Sequence, residues 1–311
     1  MSKQTIDSQK SNDILVNNNQ NGRINKNMPI ILLTNRQQRR RKFFSNIPAV
    51  IGLTIIFILV MLAAFAPVIT SYSPEETDLL NMRSSPSKEH ILGTDDLGRD
   101  IFTRIVYGGR ISILVGLASM LLQMTIGVSL GAIAGYFGGW IDQVIMRIVD
   151  MIMSFPFFAI AIALASVMGK GIANLIFIIG ILMWPGIARL IRAEVLIAKE
   201  SDYVKAAQAM GLGSREILIN QIFPNILSPV FIASTLSVAS GILMESTLSF
   251  LNLGVSPPTP SWGNMLVSAQ NMAVLKDNWW MWIPPGLAVI LMVLSINYVG
   301  EGLRDAYDVR R

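Results

Sequence analysis

The sequence predicts an all-α integral membrane protein with six transmembrane helices, on three observations. Charged residues make up 14% of the chain and hydrophobic residues 52%, where an average soluble domain carries about 25% charged. Apolar runs that meet or approach the ~20 residues needed to cross a bilayer recur along the chain. Lysine and arginine collect in the segments that would share one face of the membrane.

Residues 1–35 are rich in Asn, Gln, Ser and Lys. Such a stretch cannot bury enough apolar surface to offset its ordering entropy, so a disordered tail is expected. A basic cluster, Asn35–Lys42, extends it, and 1–46 reads as a basic cytoplasmic tail. The first long apolar run begins at Ile47, too far in for a cleavable signal peptide and long enough to span. It predicts a first helix over Ile47–Ile69 that doubles as a signal anchor.

An extracytoplasmic loop over 70–107 follows. Between Thr70 and Arg110 it carries seven acidic and five basic residues. The second predicted span is Ile111–Gly135. Gly127, Gly131 and Gly135 recur at every fourth position there, a smooth ridge on which another helix can approach closely. The third is Val149–Met168, preceded or interrupted by Asp142, Arg147 and Asp150. The fourth is Ile172–Leu190, with Trp184, Pro185 and Gly186 near its middle. Pro156 and Pro185 predict kinks, which membrane helices tolerate when packed neighbours satisfy the freed carbonyls. The fifth and sixth spans are Ile226–Phe250 and Pro284–Gly300. The outer segment Asn252–Ile283 ends in Asn278–Trp282, whose indoles suit a membrane–water boundary.

With the N-terminus inside, the inner segments hold 18 Lys and Arg and the outer ones 7. That asymmetry predicts cytoplasmic N- and C-termini. The basic pI near 9.6 follows from the same segments rather than from nucleic-acid binding.

Composition also excludes chemistry. There is no cysteine and one histidine, His90. Disulfides, thiolate sites and a His-rich metal centre are ruled out, and His90 reads as a solvated loop residue. No phosphate-binding G-x-x-x-x-G-K-[ST] loop occurs; Met168–Gly171 lacks its frame. No H-E-x-x-H and no Ser/His/Asp set is present, so neither ATP hydrolysis nor an intramembrane enzyme is expected. An ion-coupled carrier would want several intramembrane ionisable groups; Glu245 alone qualifies. A carboxylate there should face a pathway or a polar partner, unless it lies near the outer boundary and reaches water.

The inner segment 191–225 is the most informative. Asp202 can cap a helix over Tyr203–Met210. Gly211 and Gly213 flank Leu212 and allow a left-handed stop. Ser214 can cap a second helix, which Pro224 ends unless it opens the next span. Ala206, Ala207 and Ala209 keep the first helix slim enough to enter a groove on a partner. Loops with helices of their own are uncommon unless functional, although an ordinary cytoplasmic loop fits the same residues.

Ala206, Ala207, Gly211 and Pro224, in "AAQAMG" and "FPN", resemble at matching spacing the signature of binding-protein-dependent ABC importer permeases. Lys205 replaces a usually acidic position, and Gln221 and Phe223 replace frequent Ile and Leu. His90–Gly116 and Glu245–Leu266 resemble the dipeptide/oligopeptide/nickel branch, with Asn252 in place of its usual glycine. The likeness runs from about 90 to 300, nearest to the C-type subunit of the paired permeases.

The resemblance implies a type I ABC importer permease fold, with a five-helix core over 108–303 and a cytoplasmic C-terminus over 304–311. It implies an ATPase-coupling helix using Asp202, Tyr203, Lys205, Ala206, Ala207, Met210, Gly211 and Pro224. Implied partners are a homologous second permease, two ABC ATPases that hold ATP and Mg, an extracytoplasmic solute-binding protein and the lipid bilayer. No cofactor within this chain and no nucleic acid is expected, and the location is a bacterial cytoplasmic (inner) membrane. The cargo would be peptides, with nickel or a metal chelate as the alternative. In the outer loop, Asp95, Asp96, Arg99, Asp100 and Arg104 suit an ion-pair network or contact with the soluble binding protein. The structural network is the preferred reading.

Overall fold

The computed structural model describes residues 41–307. The expected disordered tail, most of the basic cluster and residues 308–311 lie outside the described residues. Among the described residues the secondary structure is helical, with one isolated β-bridge between Thr94 and Asp100.

Helix α1 spans Ile47–Ala64, and the Asn46 side chain accepts from the Ala49 N–H at 3.2 Å to start it. The predicted first span is interrupted at Phe65 and resumes as the short turn Ala66–Ile69, which contains Pro67. Arg110 donates to the carbonyls of Ala63 and Ala64 there. A guanidinium thus satisfies acceptors that the helix end leaves open.

Helix α2 spans Ile101–Phe137, 37 residues, and begins ten residues before the expected Ile111. Hydropathy stops at Arg104 and Arg110, but both are paired within the fold, so the helix continues through them. Asp100 caps it, accepting from the Thr103 N–H at 2.7 Å.

The third span is not a single helix. Helices α3, Gly139–Met153, and α4, Phe157–Met168, meet at 85°. Pro156 has no N–H to continue the ladder and disfavours helical backbone before it, and Ser154 caps α3 through the carbonyls of Asp150 and Met151. Helix α5, Ile172–Lys199, runs nine residues beyond the expected Leu190 and passes through Pro185 without a break.

Helix α6 is the short Asp202–Ala209. A helical turn at Ser214–Glu216, a π-helical turn at Ile217–Ile222 and helix α7, Phe223–Phe250, form one rod of 37 residues. The wide turn sits just before Pro224, where the missing N–H disturbs regular α pairing. Helix α8 spans Ile283–Tyr307. Among the described residues five helices are long and apolar enough to cross a membrane, or six if α3 and α4 count as one bent span.

The glycine ridge seats α2 against α5. A methyl at Gly127 would lie 2.7 Å from the Ile187 Cβ, one at Gly131 would press on the Ala188 carbonyl, and one at Gly135 would stand 2.8 Å from the Arg192 carbonyl. Asp142 and Asp150 fasten α3 to the same helix, pairing with Arg192 at 2.5 Å and Arg189 at 2.7 Å. Their charges read from sequence as interruptions of a span. In three dimensions they are paired across two helices.

Candidate functional site

The foot expected on the inner side is built from α6 and the base of α7. Val204 and Ala207 are buried against Val195, Ile217 and Ile222. Their spacing of three puts them on one face. The other faces are open: Asp202, Tyr203, Lys205, Ala206, Met210 and Gly211 are exposed, Met210 at 72%. Ala207, expected to keep the helix slim outwardly, instead provides close packing inward.

Three local expectations change. The cap position is Ser201, which makes no side-chain cap bond, and Asp202 is the first helical residue. There its charge still suits the helix N-terminus. Gly211 is left-handed at φ +80°, but Gly213 has an ordinary φ of −67°. Ser214 does not cap; Gly213 holds that position without a side-chain bond. The structure gathers Asp202–Gly211 on one foot and places Pro224 apart, in the first turn of α7. Lys205 pairs with Glu200 at 3.2 Å in an exposed ion pair. Lys199 donates to the Tyr136 carbonyl at 2.7 Å and lies over its ring, tying the foot's upstream end to α2.

Glu245, on α7, is fully buried. It does not reach water at the outer boundary. Ser112 donates to Oε2 at 2.8 Å and Ser249 to Oε1 at 2.8 Å, with Ser246 more distant at 3.4 Å. A buried carboxyl group needs such partners. Both serines were missed in sequence, where a hydroxyl in an apolar run carries no signal of its partner. On the same stripe of α2, the Ser119 hydroxyl and the Gln123 amide nitrogen are buried with no partner among the described residues.

The loop expected on the outer side is cross-tied. Asp95 pairs with Arg99 at 2.8 Å and with Arg104 at 3.5 Å, and Arg104 also donates to the Pro74 carbonyl at 2.8 Å. Asp96 stands outside this set and pairs with Arg83 at 2.6 Å, a partner not singled out in sequence. Asp100 is occupied at the start of α2, where it also meets His90 at 3.0 Å. His90 is therefore not a solvated loop residue: it is buried beneath Tyr72 and held by Asp100. Among the described residues no group of three or more His, Asp or Glu is placed to hold a metal. Trp280 is buried and donates to the Thr94 carbonyl at 3.3 Å, so this indole pins the loop instead of lying at a lipid boundary. Asn252 takes φ +62° after α7, a conformation that glycine adopts freely and asparagine tolerates. The loop, Asn264–Asn271 and Met281 enclose a polar cleft of about 540 Å³.

A protein whose described residues form five or six membrane-length helices, with a short, partly exposed helix at the base of one of them, is a multi-pass membrane protein. Residues 127–311 match the family described as binding-protein-dependent transport system inner membrane component. Residues 34–86 match the N-terminal transmembrane domain of oligopeptide transport permease C. The chain belongs to this family of inner-membrane transport components. It is 43% identical to a putative peptide permease protein of Brucella suis, over 86% of this chain and 89% of that one. It is 41% identical to a dipeptide transport system permease protein of Alkalihalophilus pseudofirmus, over 84% and 85%. It is 39% identical to a glutathione transport system permease protein of Pectobacterium atrosepticum, over 86% and 89%.

Proposed function

We propose that this chain is the C-type permease subunit of an ATP-driven, binding-protein-dependent importer of peptides. It forms half of a translocation pathway with a homologous second permease. Two ABC ATPases hold ATP and Mg and supply the energy, and an extracytoplasmic solute-binding protein delivers the cargo. Both termini are cytoplasmic, as the lysine and arginine asymmetry favours. The peptide assignment is supported by the names of the relatives, which are peptide, dipeptide and glutathione permeases.

The observation that carries the coupling role is α6. Among the described residues its Val204/Ala207 face packs within the chain, Lys205 pairs with Glu200, and the exposed Tyr203, Ala206 and Met210 side is what would enter a cleft on an ATPase. The foot packs on Ile217 and Ile222, which belong to the rod that continues through α7. Closure of the ATPase dimer would displace the foot, and the rod would carry that displacement across the membrane. Such coupling requires an element whose two arrangements both sites bias.

Gly211→Val tests it. No side chain crowds Gly211, so the variant acts through backbone strain at φ +80° alone. That strain costs about 1–2 kcal/mol, enough to reduce correctly seated feet about tenfold. Peptide uptake per ATP hydrolysed should fall accordingly, with the chain inserted and the ATPases still co-purifying in detergent. Unaltered uptake per ATP would refute the coupling role.

A further inference from the structure

We infer that Glu245 is a positioning residue that makes segment 255–265 move as one body with the adjoining ends of α7 and α2. This deepens the importer reading above and rests on it.

Each oxygen of the Glu245 carboxylate accepts from a serine, and each serine in turn accepts a backbone N–H from the outer segment. Ser249 donates to Oε1 and accepts from the Val255 N–H at 3.3 Å. Ser112 donates to Oε2 and accepts from the Trp262 N–H at 3.1 Å. One carboxylate thus holds both ends of the segment through two hydroxyl relays, one on α7 and one on α2. The segment has no slack between them. Ser261 and Asn264 form a reciprocal cap, and Asn264 also donates to the Thr259 carbonyl at 2.8 Å. A methyl at Gly263 would stand 2.5 Å from the Ser246 Cα, so the segment lies directly on α7. The Trp262 indole is buried and donates to the Ile105 carbonyl at 2.9 Å.

Below the relays α2 and α7 approach closely. A methyl on Gly241 would lie 3.2 Å from the Gly116 Cα and one on Gly116 would stand 2.6 Å from the Ile242 Cγ1, so the two backbones meet at small residues with the Ile242 side chain seated over Gly116. The polar tie lies beyond this crossing on the side away from the foot, and α7 is continuous with the rod that begins at the foot. Displacement of the rod therefore reaches segment 255–265 at Glu245, which both oxygens are needed to transmit. Glutamine would present N–H donors to one of the two serines and disrupt that relay.

The chain contains no cysteine, so Ser256→Cys can serve as a reporter on the outer segment. In membrane vesicles containing the assembled transporter and its binding protein, the labelling rate with an impermeant maleimide is measured nucleotide-free and after trapping with ATP and vanadate. The two rates should differ severalfold. Adding Glu245→Gln, Ser249→Ala or Ser112→Ala should bring them within about twofold of each other, with ATP hydrolysis retained. Glu245→Asp, which keeps both acceptor oxygens, should recover part of the difference. A purely structural role would lower the yield of assembled transporter and leave the ratio per molecule unchanged; the three single variants guard against one that fails to fold. A full nucleotide-dependent difference in the clamp variants overturns the inference, and so does an invariant rate in an otherwise hydrolysing Ser256→Cys assembly. Absence of any associated ATPase would instead overturn the importer reading, and the inference with it.

Discussion

The two ends of the molecule are held by different physics. The outer end is closed on itself by directional bonds: Asp95 takes Arg99 and Arg104, Asp100 takes His90, Trp280 reaches the Thr94 carbonyl, and Glu245 gathers two serines. The α6 foot is held by apolar packing of Val204 and Ala207 on Val195, Ile217 and Ile222, with the exposed Lys205–Glu200 pair beside it and Lys199 bonded to the Tyr136 carbonyl upstream. Buried hydrogen bonds fix a geometry because leaving any member unpaired is costly. Apolar packing is less directional and permits tilting. One end is thus fixed by directional bonds, and the other keeps the Tyr203, Ala206 and Met210 side of α6 exposed.

That contrast can be broken or sharpened by substitution. The largest effect is expected between the two ends, at Gly131→Leu. The added side chain meets the Ala188 backbone, where no rotamer relieves the clash. Overpacking of about 1–3 kcal/mol or more should separate α2 from α5 and remove the monodisperse species in detergent chromatography. Next comes Arg104→Gln, which strips the Asp95 pair and the Pro74 carbonyl of a buried donor. Loss of a charge-assisted bond of about 1.5–3 kcal/mol should appear as a lower melting temperature and faster proteolysis of 70–100. Arg83→Ala removes an ion pair whose members are both over 40% exposed. A loss of at most about 1 kcal/mol is expected, so a change as large as that of Arg104→Gln would mean that the outer loop is a single network. The smallest effect is expected at Lys205→Glu. It replaces an exposed pair with a like-charge contact to Glu200, worth about 0.5 kcal/mol in stability. Melting should be nearly unchanged, whereas a large shift would show the foot to be more tightly built than its contacts indicate.

Much of this was legible in the sequence because it depends on local composition. Apolar length located the spans, the phase of Gly127, Gly131 and Gly135 located a close helix contact, and Gly211 located the end of α6. Other features were misread for a common reason. Hydropathy assigns a charge the same meaning wherever it stands, so Arg104 hid the true start of α2 and Asp142 and Asp150 obscured α3. Local motif rules likewise assigned caps to Asp202 and Ser214 that the neighbouring backbone does not use.

By itself, then, the sequence determined which stretches form long apolar helices and where the chain breaks at Pro156 and Gly211, since each is set by residues within a few positions of one another. Tertiary structure alone decided the burial of His90 and the partners of Glu245. The Ser112–Glu245 bond joins residues 133 positions apart. Whether a carboxylate inside a membrane is a liability or an anchor depends on which donors the fold brings to it, and distance along the chain conceals them.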